Sequence, residues 1–319
     1  MTLTESENFI RDLYCRASDW EPLAFRTWAL EQFANLCAAD AALWGTGSYQ
    51  TYEFHCCEVY GLDSQYGEKL RNSLIYNPMA KMVMKNLNTS VLMSDILEDD
   101  EFYSSDLYQI LFKPYGISRI ISTAYKEKSS ELYSLISLYR TDQAKDFTKE
   151  EQQLINRLIQ HLVSAGDHNY KLSLPQHSDG EAFAICDQHG YYWHISLGFQ
   201  QFLNGLESDA EYSFDSSYFP FKIEGPTEIK CHDVMFNIVA AESLFKIEAR
   251  LIGPLDKLTL RELEIASWLG KGMTFKQVAK ALGLSPSTVS NHLYRMYPKL
   301  GISSRSELVA LLKNPVDKP

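Results

Sequence analysis

The stretch SPSTVSNHLYRM, residues 285–296, gathers side chains that exchange hydrogen bonds with a polar partner. Ser285 followed by Pro286 reads as a helix N-cap and first helical position. From there Val289, Leu293 and Met296 recur at helical spacing as an apolar spine, and Ser290, Asn291, Tyr294 and Arg295 fall outward. A core helix would show an unbroken apolar stripe, and a solvated one would show Glu/Lys pairs. Neutral hydrogen-bonding groups beside one cation suit a helix that touches something polar.

Other clusters offer less. Cys186, His189 and His194, with Cys231-His232-Asp233, carry metal-ligating atoms. Alternation along a strand would put Cys186 and His189 on opposite faces, so no metal is expected. No Gly-rich phosphate loop, nucleophile elbow or Glu/His zinc pair is present, so neither a catalytic residue nor a cofactor is expected. The six cysteines have no regular spacing and two are adjacent, which reads as small buried hydrophobes rather than a disulfide framework.

The 319 residues, 45% hydrophobic, are enough for two or three domains with real cores. There is no apolar run long enough for a transmembrane helix, and MTLTESENFIRDLY is not a secretory signal, so a cytoplasmic protein is expected. The formal charge of −11 hides an asymmetry. Residues 256–319 hold 10 basic and 5 acidic side chains, net +5, against 20 and 36, net −16, before them. A basic end on an acidic chain hints at nucleic-acid binding.

The helix at 285 belongs to a run of four short ones. Thr259 with Glu262, Thr274 with Gln277, and Ser304 with Glu307 are capping boxes, and Gly272, Gly283 and Gly301 are stops. Upstream, a helix near 20–38 buries Phe25, Trp28, Phe33 and Leu36. Strands follow at 41–47 and 51–62, helical segments at 66–88 and 103–113, and a hairpin GISRIISTAYKE/ELYSLISLYRT. Thr148 and Glu151 cap a helix whose stripe from Leu154 to Val163 is read as core, with a dimer seam as the alternative. HNYKLSLPQHSDG reads as a linker. A smaller unit then runs strand, turn, strand, short helix near 199–206, and further strands ending in FNIVAAESLFKIEARLI. GPLDKL (253–258) is a second linker.

The C-terminal segment resembles the LuxR-type helix-turn-helix domain. The matching features are Leu258-Thr259, Arg261-Glu262, Glu264, Gly272, Lys276, Ala279, Leu282, Ser285, Thr288-Val289, His292, Lys299-Leu300-Gly301, Arg305 and Glu307-Leu308. The resemblance implies that Ser290, Asn291 and Tyr294, with Arg295 beside them, face DNA bases in the major groove. It implies that Lys276, Thr288, Lys299 and Arg305 touch phosphates. Two residues depart from the pattern: Ser290 stands where many members have Lys, and Pro298 should distort the last turn of the reading helix.

The front resembles GAF-type sensors over residues 1–167 and a PAS-type module over 181–252, joined by the 168–180 linker and followed by the helix-turn-helix domain at 255–315. The expected fold class is therefore α+β: GAF/PAS-like sensor domains, then an all-α four-helix LuxR-type domain. A small-molecule effector would lie among Trp44, Tyr52, Phe54, Tyr76, Phe102, Tyr103 and Tyr108. Acyl-homoserine-lactone receptors share the C-terminal domain and are the alternative. Their pocket signature is met only by Tyr76-Asn77-Pro78, where Asn replaces the ligand-binding Asp. The expected function is a cytoplasmic, ligand-responsive transcription regulator that binds double-stranded DNA as a homodimer, with RNA polymerase as a further partner and no membrane. A protein-interaction adaptor that no longer binds DNA is the rival from another class.

Overall fold

The computed structural model describes residues 3–49, 54–126, 132–172, 182–207, 217–241 and 244–313. By backbone contacts the chain divides into two compact units, Met1–Ile229 with Phe236–Ala249, and Lys230–Met235 with Arg250–Pro319.

In the first unit, α1 (Leu3–Ala17) and α2 (Pro22–Leu36) lead into β1 (Ala41–Ser48) and β2 (Phe54–Tyr60). The chain continues through α3 (Tyr66–Ser73), α4 (Pro78–Lys85), β3 (Val91–Leu92) and α5 (Asp99–Ser104). A π-helical turn, Tyr108–Phe112, precedes the hairpin of β4 (Arg119–Lys126) and β5 (Leu132–Arg140), and α6 (Lys149–Leu172) follows. The strands form one antiparallel sheet in the order β2-β1-β5-β4-β3.

Both faces of this sheet are covered, which is why β1 is buried at all eight positions and is built from Ala, Gly, Thr and Ser around Leu43 and Trp44. On one face Ala42, Trp44, Ile136 and Leu138 pack against Leu13 of α1, Phe25, Leu30 and Phe33 of α2, and Ile155, Leu158 and Leu162 of α6. On the other, Leu43, Phe54, Ala124 and Leu135 meet Tyr66 and Leu70 of α3, Met79 and Val83 of α4, and Phe102 of α5. The stripe from Leu154 to Val163 is thus core of this chain: Ile155, Leu158, Ile159 and Leu162 are no more than 1% exposed, and the half-buried Leu154 packs against the same core. A Cβ at Gly166 of α6 would sit 3.0 Å from the Trp44 ring, so the glycine lets the helix close onto that indole.

Polar ties hold the layers in register. Arg140 is buried and donates to the carbonyls of Cys37 and Ala38 and, at 2.8 Å, to Glu151, whose capping box with Thr148 opens α6. The helix runs to Leu172, well into the stretch expected to be linker; residues 173–181 lie outside those described.

A second antiparallel sheet has the order β7-β6-β10-β9-β8, with β6 (Phe183–Cys186), β7 (Tyr192–Ile195), β8 (Thr227–Cys231), β9 (Val234–Ala241) and β10 (Leu244–Leu251). The run FNIVAAESLFKIEARLI supplies parts of both β9 and β10. Helix α7 (Leu197–Glu207) packs Phe199 against Phe219 and Phe236. Cys186 and Cys231 are buried. Burial pushes the Cys186 thiol up to about 12, as befits a small apolar filler. The described residues contain two antiparallel sheets with helices and a C-terminal all-helical part, an α+β chain.

Candidate nucleic-acid interface

The second unit centres on α8 (Leu260–Gly270), α9 (Phe275–Leu282), α10 (Pro286–Leu300) and α11 (Arg305–Lys313). Their starts are written in local hydrogen bonds. The Thr259 hydroxyl accepts from the Glu262 amide while the Glu262 carboxylate accepts from the Thr259 amide, and Thr274 and Gln277 repeat the arrangement. The Ser285 hydroxyl accepts from the Thr288 amide with Pro286 at the first position. Each such cap contributes about 1 kcal/mol. Between α9 and α10, Gly283 takes φ +65°, the left-handed conformation that ends one helix and turns the chain into the next.

One apolar core fixes the four helices. Val289, Leu293, Met296 and Leu300 of α10 meet Ile265, Ala266 and Leu269 of α8, Val278 and Ala279 of α9, and Leu308 and Leu311 of α11. Leu308 is fully buried, Leu311 is 7% exposed and Leu312 packs against the same core, so the apolar face of α11 serves the bundle.

With one face of α10 buried, the opposite face carries the expected readers. Asn291, Tyr294 and Arg295 are exposed, Tyr294 at 67%, while Ser290 is half-buried. Tyr294 stands edge-on to Tyr297 with ring centres 6.0 Å apart, which holds the exposed phenol upright on the helix. Asn291 and Arg295 have no hydrogen-bonding partner among the described residues. Pro298 lies within the helix, and α10 continues through it to Leu300 before Gly301, at φ +67°, stops it. The expected distortion does not end the helix, because Pro298 is solvent-exposed and what it removes is a single amide.

The expected phosphate anchors separate into two groups. Lys276, in the first turn of α9, is exposed and makes no ion pair among the described residues, and Lys280 one turn later is the same. Spacing of four places the two on one helix face. Lys280 was missed in the sequence because a single lysine on a short amphipathic helix reads as ordinary solvation. Thr288, half-buried, is engaged with Ser285, their hydroxyls 2.8 Å apart. Lys299 and Arg305 face inward. Lys299 Nζ lies 2.6 and 2.8 Å from the Glu262 carboxylate, and Arg305 donates to the carbonyls of Leu269 and Met273 at 3.2 and 2.8 Å, closing the C-terminal end of α8.

The residues expected to line an effector pocket do not converge. Trp44 lies on the sheet face covered by α1, α2 and α6, whereas Phe54 and Phe102 belong to the opposite core, with Tyr103 and Tyr108 packed against it. Tyr103 and Tyr108 stand 4.9 Å apart and edge-on, each within 5.2 Å of Phe102, and fill that space with one another. Tyr76 is half exposed, and Tyr52 lies outside the described residues. Asn77 is buried as the N-cap of α4, its side-chain oxygen accepting from the Met79 amide at 3.0 Å. The amide that would replace the lactone-binding carboxylate is therefore spent on a helix start.

Comparison with known proteins agrees with this geometry at the C-terminal end. Residues 256–312 match the family described as "Bacterial regulatory proteins, luxR family". The probable transcriptional regulatory protein SgaR of Hyphomicrobium methylovorum is 47% identical over 58 residues, which are 18% of this chain and 28% of that protein. The transcriptional regulatory protein UhpA of Escherichia coli (strain K12) is 46% identical over 56 residues, 18% of this chain and 29% of the relative. The likeness thus spans under a third of each relative. Among solved structures, Escherichia coli SdiA aligns over 96% of both chains at 13% identity with a TM-score of 0.39, too slight a likeness to carry an argument about the remainder of the chain. The capped four-helix bundle at the C-terminus of this chain is a regulatory domain of the luxR family.

Proposed function

We propose that this chain is a cytoplasmic transcription regulator that binds double-stranded DNA by laying α10 in the major groove. Asn291 and Tyr294 meet base edges, Arg295 lies beside them, and Lys276 and Lys280 of α9 hold the phosphate backbone. The observation that carries the reading is the outward face of α10, whose Asn291 and Arg295 are exposed and have no partner among the described residues. Side chains of that kind contribute nothing to the bundle and suit a polar partner. Thr288, Lys299 and Arg305 are reassigned to internal bonds, of which that of Lys299 to Glu262 ties α10 to α8.

One such helix reads only a few base pairs, so we assign a homodimer as the specific DNA-bound form, on a site with two half-sites. Its surface is to be sought outside the α6 and α11 stripes. The N-terminal unit is read as the effector-responsive part, and RNA polymerase as the partner through which occupancy of the site acts. The test is selection of duplexes from a random pool by the full-length protein, followed by titration at several salt concentrations. A DNA reader enriches one sequence and loses affinity steeply as salt rises. An adaptor that works through protein contacts alone enriches none, and that outcome would replace this reading.

A further inference from the structure

In the N-terminal unit a buried cation makes no contact ion pair, though the Glu58 carboxylate lies within its electrostatic reach. Arg26 of α2 is 3% exposed, and no ion pair to it exists among the described residues. Its guanidinium is sandwiched between two indoles, 4.4 Å from the centre of Trp44 and 4.9 Å from that of Trp193 on β7. One terminal nitrogen donates to the Trp44 carbonyl at 2.9 Å, the other reaches the Tyr170 hydroxyl at 3.5 Å, and Nε has no partner. Of the nearby carboxylates, Asp167 pairs with His194 at 3.3 Å, and Glu58 accepts from Thr27 at 3.4 Å while feeling the Arg26 charge. Proteins seldom bury arginine unpaired, because removing the charge from water costs several kcal/mol.

The unpaired donors cluster. Arg26, Thr46 and Trp193 all line one small cavity of ≈ 20 Å³, and Arg26 Nε, Thr46 Oγ1 and Trp193 Nε1 are all buried without a hydrogen-bond partner. A second cavity of ≈ 40 Å³ shares Thr46, Ser134, Val163, Asp167 and Trp193 with the first and continues past Leu132 and Ile195, a more apolar lining. The orphaned His194 Nε2 also borders it. Three donors, one of them cationic, meet at one end, with Asp167 on the wall held by His194, and Leu132 and Ile195 lie beyond.

We infer that this is a binding site for a short aliphatic monocarboxylate. The carboxylate takes the Arg26 Nε–H, the Thr46 hydroxyl and the Trp193 indole N–H, and its chain of a few carbons points toward Leu132 and Ile195. Arginine suits the role because its charge strengthens the hydrogen bond that Nε–H donates to a carboxylate, and the flanking indoles shield it from water. The two adjoining cavities suit a headgroup and a short tail. This assignment rests on the effector-responsive part of the proposed function and gives it a ligand class. It is independent of whether α10 reads DNA.

The experiment is isothermal titration calorimetry of the full-length protein, without DNA, against sodium acetate, propionate, butyrate and hexanoate. Butyramide and sodium chloride at matched ionic strength are the neutral and inorganic controls. At least one carboxylate should bind saturably, with neither control competing. Thr46→Val, which keeps the side-chain shape, should weaken it about tenfold, the usual loss for one hydrogen bond to an anion. Arg26→Gln should abolish binding. If that variant does not fold, Thr46→Val and Trp193→Phe decide. The inference is overturned if no carboxylate saturates, if chloride or butyramide binds as well, or if Thr46→Val and Trp193→Phe bind like the unaltered protein. Those results would leave only ordered water among these donors. DNA binding measured separately on the same preparation keeps the two readings apart.

Discussion

Lys299 Nζ, in the last turn of α10, lies 2.6 Å from Oε2 of Glu262, in the first turn of α8, and 2.8 Å from its Oε1. The same carboxylate accepts from the Thr259 amide and hydroxyl, so one buried group closes a cap and ties the reading helix to its support. A cation held this way is a positioning residue. Lys299→Met should destabilise the C-terminal bundle by roughly 1–3 kcal/mol, because it leaves a buried carboxylate short of its counter-ion. On DNA the variant should keep its salt slope, which denaturation and salt titrations read separately.

Glu262 also sets an acid limit. Burial alone would raise its carboxyl, but the Lys299 ammonium and the Thr259 hydrogen bonds outweigh that and hold it below its ordinary value of 4.5. A group depressed in the folded state stabilises above the unfolded value and loses that contribution as pH falls through the folded one. Bundle stability should therefore drop below about pH 4.5, and Glu262→Gln should be less stable near neutrality with a flatter acid limb. Melting curves between pH 3 and 7, taken as roughly spanning the carboxyl range, report both.

Leu308 distinguishes a core from an interface. It is fully buried, so Leu308→Ala should cost about 2–4 kcal/mol of bundle stability through the cavity it leaves. Sedimentation should show the oligomeric state unchanged at temperatures where the variant is folded.

Pro298 offers the opposite sign. It sits exposed inside α10 and withholds one amide from the helix, so Pro298→Ala should stabilise the bundle by about 1–3 kcal/mol. No loss of DNA affinity should accompany the gain, since Pro298 lies beyond the Asn291–Arg295 face.

What the sequence revealed follows from how local each signal is. The caps at Thr259, Thr274 and Ser285 and the stop at Gly283 span three or four residues, and the structure has each of them. The outward face of α10, with Asn291, Tyr294 and Arg295 exposed, needed only helical spacing. The partners of Lys299 and Arg305 were hidden because Glu262 and Leu269 lie 37 and 36 residues away, and no periodicity reports such a meeting. The expected effector residues fall on two faces of the sheet for a subtler reason. The β1–β2 pairing slips at Thr46/Gly47, so Phe54 stands opposite Gly47 and joins the face away from Trp44. A register shift of one residue reverses a face, and composition does not disclose it. Arg26 stood in plain view in the apolar segment PLAFRTWAL, but its burial depends on Trp44 and Trp193 arriving from two different sheets.

The central claim is that α10 reads base edges while α9 grips phosphates, and one comparison tests it. Full-length protein is titrated with its selected duplex and a scrambled one at several salt concentrations, as the Asn291→Ala and Lys276→Ala variants. Asn291→Ala should lose roughly 1–3 kcal/mol on the selected duplex and much less on the scrambled one, flattening preference at one position. Lys276→Ala should weaken both by similar factors and lower the salt slope by about one. Equal weakening of both duplexes by Asn291→Ala, or an unchanged salt slope in Lys276→Ala, would contradict this placement of the two helices on DNA.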